Sequence, residues 1–219
     1  MSELSWFKGN IHCHTTMSDG DADPKTAVDW YQSHGYDFLV LSDHNHLTLF
    51  DYQAKDNRDL ILIPGEEVTS SIGGDSIPIH INGIGINRLV EPADCKTVLE
   101  SLQTNIDRIL DAGGLVSINH PNYKWALTPE IISSSTGANM LEVFNGHPMT
   151  NTFGTGNKPS AEQIWDAVLT SGQKIFAAAT DDAHNYHEFT PNHSNPGRGW
   201  PVSYTHLRAH ETEADLVCR

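Results

Sequence analysis

Gly35-Tyr-Asp-Phe-Leu-Val-Leu-Ser-Asp-His-Asn45 decides the fold. A helix-stopping glycine is followed by an apolar run over residues 37–41, too short for a helix and suited to a buried strand. That run ends on Ser42-Asp43-His44-Asn45, a cluster of side chains that can hold protons or cations. Upstream, Asp23-Pro24 supplies an N-cap with proline at the first helical position, and the helix that follows puts Ala27, Val28 and Tyr31 on one face. Residues 7–13 read as a strand before it. Strand, helix and strand in this order predict a parallel α/β arrangement.

The same grammar continues along the chain. Residues 60–63 form a third predicted strand, ending in Pro64-Gly65-Glu66-Glu67, and residues 77–86 a fourth. Residues 94–112 are the clearest helix, with Val98, Leu99, Leu102, Ile106, Ile109 and Leu110 inward and Gly113-Gly114 as terminator. Residues 115–118 lead into Asn119-His120-Pro121, and residues 140–144 into Asn145-Gly146-His147. Ser160 with Gln163 is a capping box for a helix to Ser171. Residues 175–179 are a seventh strand, ending in Thr180-Asp181-Asp182-Ala183-His184. Residues 146–159 and 185–200, rich in Gly, Asn and Pro, read as long loops. Nearly every cluster of His, Asp and Glu therefore follows the C-terminal end of a predicted strand, the edge on which parallel α/β folds build their sites.

Composition narrows the function. The chain has 219 residues, 13 Lys and Arg against 28 Asp and Glu, a formal charge of −15 and 13 histidines. That balance opposes gripping long nucleic acid by phosphate neutralisation. No apolar run approaches the roughly 20 residues of a membrane span, and residues 1–6 lack the basic and apolar regions of a secretory signal. The expectation is a cytoplasmic protein with no membrane partner. Cys13, Cys95 and Cys218 make neither a metal knuckle nor a disulfide framework.

The last 18 residues, 202–219, differ in character. They read as translation of a transposase-type sequencing-library adapter, in frame and with the correct index length. They are expected to be a non-native tail without a packed position. On this reading residues 1–201 are one domain, incomplete at its C-terminus, carrying 11 histidines, two cysteines and a charge of −14.

His12-Cys13-His14 sets two imidazoles at i and i+2 of an extended chain, on one face and able to share a metal, with Cys13 turned the other way as a small buried apolar residue. It is followed by Ser18-Asp19-Gly20, Asp43-His44, Gly65-Glu66-Glu67, His80, Asn119-His120-Pro121 and Asp182-Ala183-His184. This series resembles the polymerase and histidinol phosphatase (PHP) family over about residues 6–200. The openings at residues 6–20 and 35–45 are similar to its carbaryl-hydrolase-like branch. The resemblance implies a distorted (β/α)7 TIM-like barrel, C-terminally truncated, that binds two or three divalent ions. Carried over position by position, His12, His14, Glu67 and Asp182 would hold a first ion. Glu67 would bridge to a second held by His80 and His120, and Asp19, His44 and His184 would complete a third site. Glu66 competes with Glu67 for the bridge, but the family spacing selects Glu67.

A metal-activated water would then be the nucleophile, with Glu67, Asp182 and His184 as catalytic groups. The activity implied is that of a phosphoesterase acting on a small phosphorylated metabolite or nucleotide. The alternatives are a carbamate, ester or amide hydrolase, a nuclease of oligonucleotide 5′ ends, and a non-catalytic metal-binding domain. Nitrogen and oxygen donors without thiolate suit zinc, manganese or iron. Three carboxylates with two or three divalent ions leave the pocket about one to three units positive, so phosphate is attracted despite the acidic surface. Arg198, His147 and Asn145 are candidate substrate-binding residues. Asp43 reads either as an orienting partner of a ligand imidazole or as a turn cap. His34 reads as a helix C-terminal complement, and His46, His187 and His193 as loop residues.

Overall fold

The computed structural model describes residues 5–49, 60–74, 76–93 and 95–205. Among these residues nine strands form two open sheets. The first has the order β3-β2-β1-β9, built from β1 (Ser5–Asn10), β2 (Phe38–Val40), β3 (Ile61–Ile63) and β9 (Val202–Thr205). The second runs β4-β5-β6-β7-β8, from β4 (Gly65–Ile72), β5 (Ile77–Ile84), β6 (Leu115–Ile118), β7 (Met140–Asn145) and β8 (Phe176–Thr180). Pairing is parallel for β1/β2, β2/β3, β6/β7 and β7/β8, and antiparallel for β1/β9, β4/β5 and β5/β6. Of the expected distorted barrel the mixed α/β architecture is present; among the described residues its strands form two open sheets with four helices, and closure is not seen. At the end where the predicted clusters lie, two single-residue bridges join the sheets, Cys13 to Ala183 and His44 to Glu67.

The predicted helices form for the reasons read from sequence. In α1 (Pro24–Ser33) the Asp23 carboxylate accepts from Thr26 N at 2.7 Å, and Ala27, Val28 and Tyr31 are buried. In α4 (Ala161–Thr170) both hydrogen bonds of the Ser160–Gln163 capping box are present. The long helix α2 (Val98–Asp111) starts at the Thr97 N-cap. The predicted start, Asp94, lies outside the described residues. Leu102, Ile106 and Ile109 face inward, but Leu99 and Leu110 are largely exposed. At 100° per residue the buried stripe passes through Ser101 and Asn105 instead, whose side chains meet Ser70 and Ala93. Helix α3 (Pro129–Ser134), opened by a Thr128 cap and an N1 proline, was not anticipated. The two long loops contain no helix or strand.

Strand β4 is the larger surprise. Gly65-Glu-Glu-Val-Thr-Ser-Ser-Ile72 is too polar to read as a core strand, yet it pairs with β5 over its whole length. Its alternation sends Val68 and Ser70 toward the helix-covered core, and Glu67 and Thr69 to the opposite face. The register sets Thr69 opposite His80 and Glu67 opposite Asn82, so these four side chains share that face. Residues 202–205, read above as the start of a tail, pair with β1, and the Trp6 and Tyr204 rings lie 4.7 Å apart. An exposed strand edge accepts any extended segment through its main chain. Residues 206–219 lie outside the described residues.

The largest apolar cluster packs α2, α3 and α4 against the second sheet, and another packs α1 against the first. A third, with Ile11, Phe38, Val40, Ile63, Ile84 and Ala178, fills the space between the sheets. Gly65 sits at that junction, where a Cβ would come within 2.4 Å of Val40 Cγ1 and 2.7 Å of the Gly83 carbonyl. Gly65→Ala should cost about 1–3 kcal/mol through overpacking. Gly156→Ala, with nothing near its Cβ position, should leave the denaturant midpoint unchanged.

Candidate metal centre

All nine predicted ligand residues converge where the two sheets meet. Glu67 is their centre. Its Oε1 lies 3.4 Å from His12 Nε2 and 3.3 Å from both His80 Nδ1 and His120 Nε2. Its Oε2 lies 3.4 Å from His14 Nε2 and 2.9 Å from His44 Nδ1. Asp182 Oδ1 closes the inner side, 3.1 Å from His12 Nε2 and 3.2 Å from His14 Nε2. On the outer side Asp19 lies 3.3 Å from His184 and 3.6 Å from both His14 and His44. The donors thus fall into overlapping groups: His12, His14 and Glu67; His12, His120 and Asp182; His44, Glu67 and His80; and Asp19 and His184 with His14 and His44.

These groups fit divalent ions. His12 Nε2, His14 Nε2, Glu67 Oε2 and His80 Nδ1 are buried without a hydrogen-bond partner, a state that buried polar atoms seldom tolerate. Donors about 2.1 Å from a tetrahedral ion are separated by about 3.4 Å, close to the spacing here. Cys13 takes no part, because its Sγ is buried on the far face against the Val40 carbonyl.

Local structure explains how each group is aimed. Main-chain hydrogen bonds tie the ligand-bearing segments together: Asp182 N to His12 O, His14 N to Ala183 O, Glu67 N to Ser42 O and Asn119 N to His80 O. Asp182 adopts a left-handed conformation, φ 50°, just after β8, which aspartate tolerates better than most residues. His184 Nδ1 donates to the Asp182 carbonyl at 2.9 Å, which leaves Nε2 as the free donor atom. Asn119 donates to Glu67 Oε1 and to Asn82 Oδ1, and Asn82 donates to the Ile11 carbonyl, fixing the central carboxylate from below.

Burial and charge pull in opposite directions. Burial would raise the Glu67 carboxyl, but the surrounding imidazoles, His12 first, outweigh it and hold the group well below the usual carboxylate range. Asp182 behaves alike through His12 and His14. Burial and the neighbouring His184 push His14 down to about 4. For His184 the burial effect is overcome by its contact with Asp19, which raises it to about 9. The carboxylates are thus ionised, as ion binding requires.

Other expectations meet mixed outcomes. Glu66 points away from the cluster: its Oε1 accepts from Val90 N at 2.6 Å, and burial raises its carboxyl to about 7. It cannot bridge with Glu67. Asp43 accepts from Thr15, Ser18 and Thr48, so it caps the turn carrying Asp19 rather than orienting an imidazole. Arg198, expected to clamp substrate, directs its guanidinium to the Gly146 and Thr190 carbonyls and to Asn195, and does not line the cavity. Asn145 is buried and donates to Glu142 and Asp182, so it supports the site from behind. His147 does line the cavity. That cavity, about 120 Å³, exposes seven of the nine candidates together with Tyr123, His147 and Thr150, and leaves His12 and His14 sealed beneath.

The sequence reading missed Glu142. It is buried on β7, its Oε1 accepts a hydrogen bond from His12 Nδ1 at 2.6 Å, and it accepts further from His120 N, Asn145 and Thr180. A carboxylate behind a ligand imidazole fixes the ring and raises its basicity. The signal was present, since Glu142 is the one charged residue in the apolar run 140–144 and a buried charge needs partners.

No protein-family model matches the chain, and no curated protein matches it. Solved structures do. A two-domain protein from Bacteroides vulgatus, described as containing a predicted PHP-like metal-dependent phosphoesterase, aligns with a TM-score of 0.56 at 21% identity, over 83% of this chain and 53% of that one. This chain therefore spans about half the length of that protein. A protein from Bifidobacterium adolescentis assigned as a metal-dependent phosphoesterase aligns with a TM-score of 0.59 at 16% identity, over 90% and 93%. An amidohydrolase from Chromobacterium violaceum, with bound sulfate and no metal, aligns at 0.54 and 14% identity, over 82% and 88%. The fold is thus shared with PHP-like structures.

Two outcomes test the centre. Free manganese or zinc at about 100 times its dissociation constant should raise the melting temperature by about 5–10 °C. Chelator should reverse the shift, and His12→Ala should lack it. Glu142→Gln should weaken ion binding about 10- to 100-fold by calorimetry.

Proposed function

We propose that the chain is a PHP-family metal-dependent phosphoesterase, hydrolysing a small phosphorylated metabolite or nucleotide with a metal-activated water. The observation that carries this reading is the convergence of nine nitrogen- and oxygen-donor residues with Glu67 at their centre, several of them with buried, unpartnered atoms. His12, His14, Glu67 and Asp182 are the first ligand set, Glu67 with His80 and His120 the second, and Asp19, His44 and His184 the third. Two or three zinc, manganese or iron ions would, when bound, lower the pKa of water and offset phosphoryl charge.

The chain's own residues do the rest. Glu67 spans the first two sets through its two oxygens. Asp182 and His184 stand at the cavity wall, where a carboxylate oxygen and an imidazole nitrogen can hold a proton during turnover. The small cavity supports a small substrate, and the acidic surface disfavours long nucleic acid. Among the described residues no helix is long and apolar enough to cross a membrane, and a cytoplasmic site of action suits this substrate class. A carbamate, ester or amide substrate is the second reading, favoured by the likeness to the amidohydrolase structure.

Purified protein loaded with manganese or zinc, offered phosphate monoesters, diesters and carbamates, should hydrolyse a small monoester. His12→Ala and Asp182→Ala should reduce that rate to background. Carbamate turnover alone selects the second reading, and no turnover of any class sinks the enzymatic one.

A further inference from the structure

His147 stands apart from the other cavity imidazoles. It lines the cavity and meets the His184 ring edge-on at 5.3 Å, yet it belongs to none of the metal-binding groups. Its surroundings are built. The His147 amide donates to Asn145 Oδ1 at 2.8 Å, and its carbonyl accepts from Thr150 Oγ1 at 2.8 Å. The ring is held by a third contact, from Met149 N to His147 Nδ1 at 3.1 Å.

That last contact fixes the chemistry. A main-chain N–H can only donate, so Nδ1 must present a lone pair, and in the neutral ring the proton then sits on Nε2. Two of the candidate ligand imidazoles are aimed in the opposite sense: His12 and His184 direct Nδ1 at a protein acceptor and turn Nε2 toward the carboxylates, where it is available to an ion. His147 therefore offers the cavity a donor where its neighbours offer acceptors. Among the described residues no lysine or arginine lines this cavity, so an anion's outer oxygens meet few other donors.

We propose that His147 is a substrate-contacting residue whose Nε2–H donates a hydrogen bond to a phosphoryl oxygen of the bound substrate. This rests on the phosphoesterase reading above and adds a recognition element outside the ion set. The Asn145 side chain, donating to Asp182 Oδ2 at 3.1 Å while accepting from the His147 amide, sets the distance between donor and metal centre.

The test has two independent readouts. Long-range proton–nitrogen correlation spectra of the zinc-loaded full chain, with the ring assigned through His147→Leu, should show His147 Nδ1 unprotonated and Nε2 protonated. The reverse tautomer overturns the proposal. Calorimetry with inorganic phosphate on the manganese-loaded chain should show binding weakened about 10- to 100-fold in His147→Leu, the span of a hydrogen bond to a charged oxygen. His147→Gln, whose amide reaches the Nε2 position, should restore most of the affinity. Manganese binding should be unchanged in both variants. Equal phosphate affinity in wild type and His147→Leu, a Gln variant as weak as Leu, or loss of manganese from either variant each overturns the donor role alone. Wild type that ignores phosphate while holding manganese overturns the phosphoesterase reading together with the proposal.

Discussion

A carboxylate buried among five imidazoles is the constraint around which this molecule is arranged. Glu67 is sealed from solvent, and an isolated charge in that position would be far too costly to keep. It is sustained because the chain brings His12, His14, His44, His80 and His120 within 3.4 Å of its two oxygens. The same geometry leaves ring nitrogens facing carboxylate oxygens at the edge length of a coordination polyhedron. That spacing suits a cation between the donors, and the hydrogen bonds beneath, from Asn119 to the carboxylate and from Asn119 to Asn82, hold Glu67 in place.

Behind the donors lies a second tier of polar groups that consumes most of the remaining buried hydrogen-bonding capacity. Glu142 answers His12, the His120 amide, Asn145 and Thr180 at once. Asp181 accepts from Tyr31 and from the Arg198 and Gly199 amides, which pins the loop after β8 to α1. Asp43 performs the same service for the turn that carries Asp19. These carboxylates explain why a strongly acidic chain can keep charge inside: each satisfies several donors, and each holds a segment that carries a candidate ligand.

Much of this was legible in the residues. The α1 and α4 caps, the short apolar strands and the clusters following them are local signals, written in a few adjacent positions, and the structure has them where the pattern put them. What escaped was set by pairing across distance. Strand β4 is too polar to read as a strand because Glu67 and Thr69 face the site while Glu66 and Ser70 find polar partners on the core side, and only its antiparallel partner β5 supplies the apolar context. The misplacement of Leu99 and Leu110 arose because Ser101 and Asn105 occupy the buried stripe, satisfied by Ser70 and Ala93, residues a helical wheel does not contain. Arg198 looked free in a glycine-flanked loop, and its engagement depends on carbonyls eight and more residues away. The distorted barrel was an expectation taken from the resemblance; its α/β layering is present, while among the described residues the hydrogen-bond ladders stop at β3 and β4 on one side and at β8 and β9 on the other.

That interruption has a consequence for how the molecule holds itself together. Among the described residues the seam is crossed by single-residue bridges at Cys13–Ala183 and His44–Glu67 and a few main-chain hydrogen bonds beside them rather than by a continuous ladder, and two of the three proposed ligand sets straddle it. His12 and His14 come from one sheet while Glu67 and Asp182 come from the other; Asp19 and His44 likewise face His184. Ions seated there would act as rivets between two plates that the main chain stitches only lightly. Ion binding and correct docking of the sheets would then become a single property, since a chain whose halves are misaligned would have no intact cage in which to hold an ion.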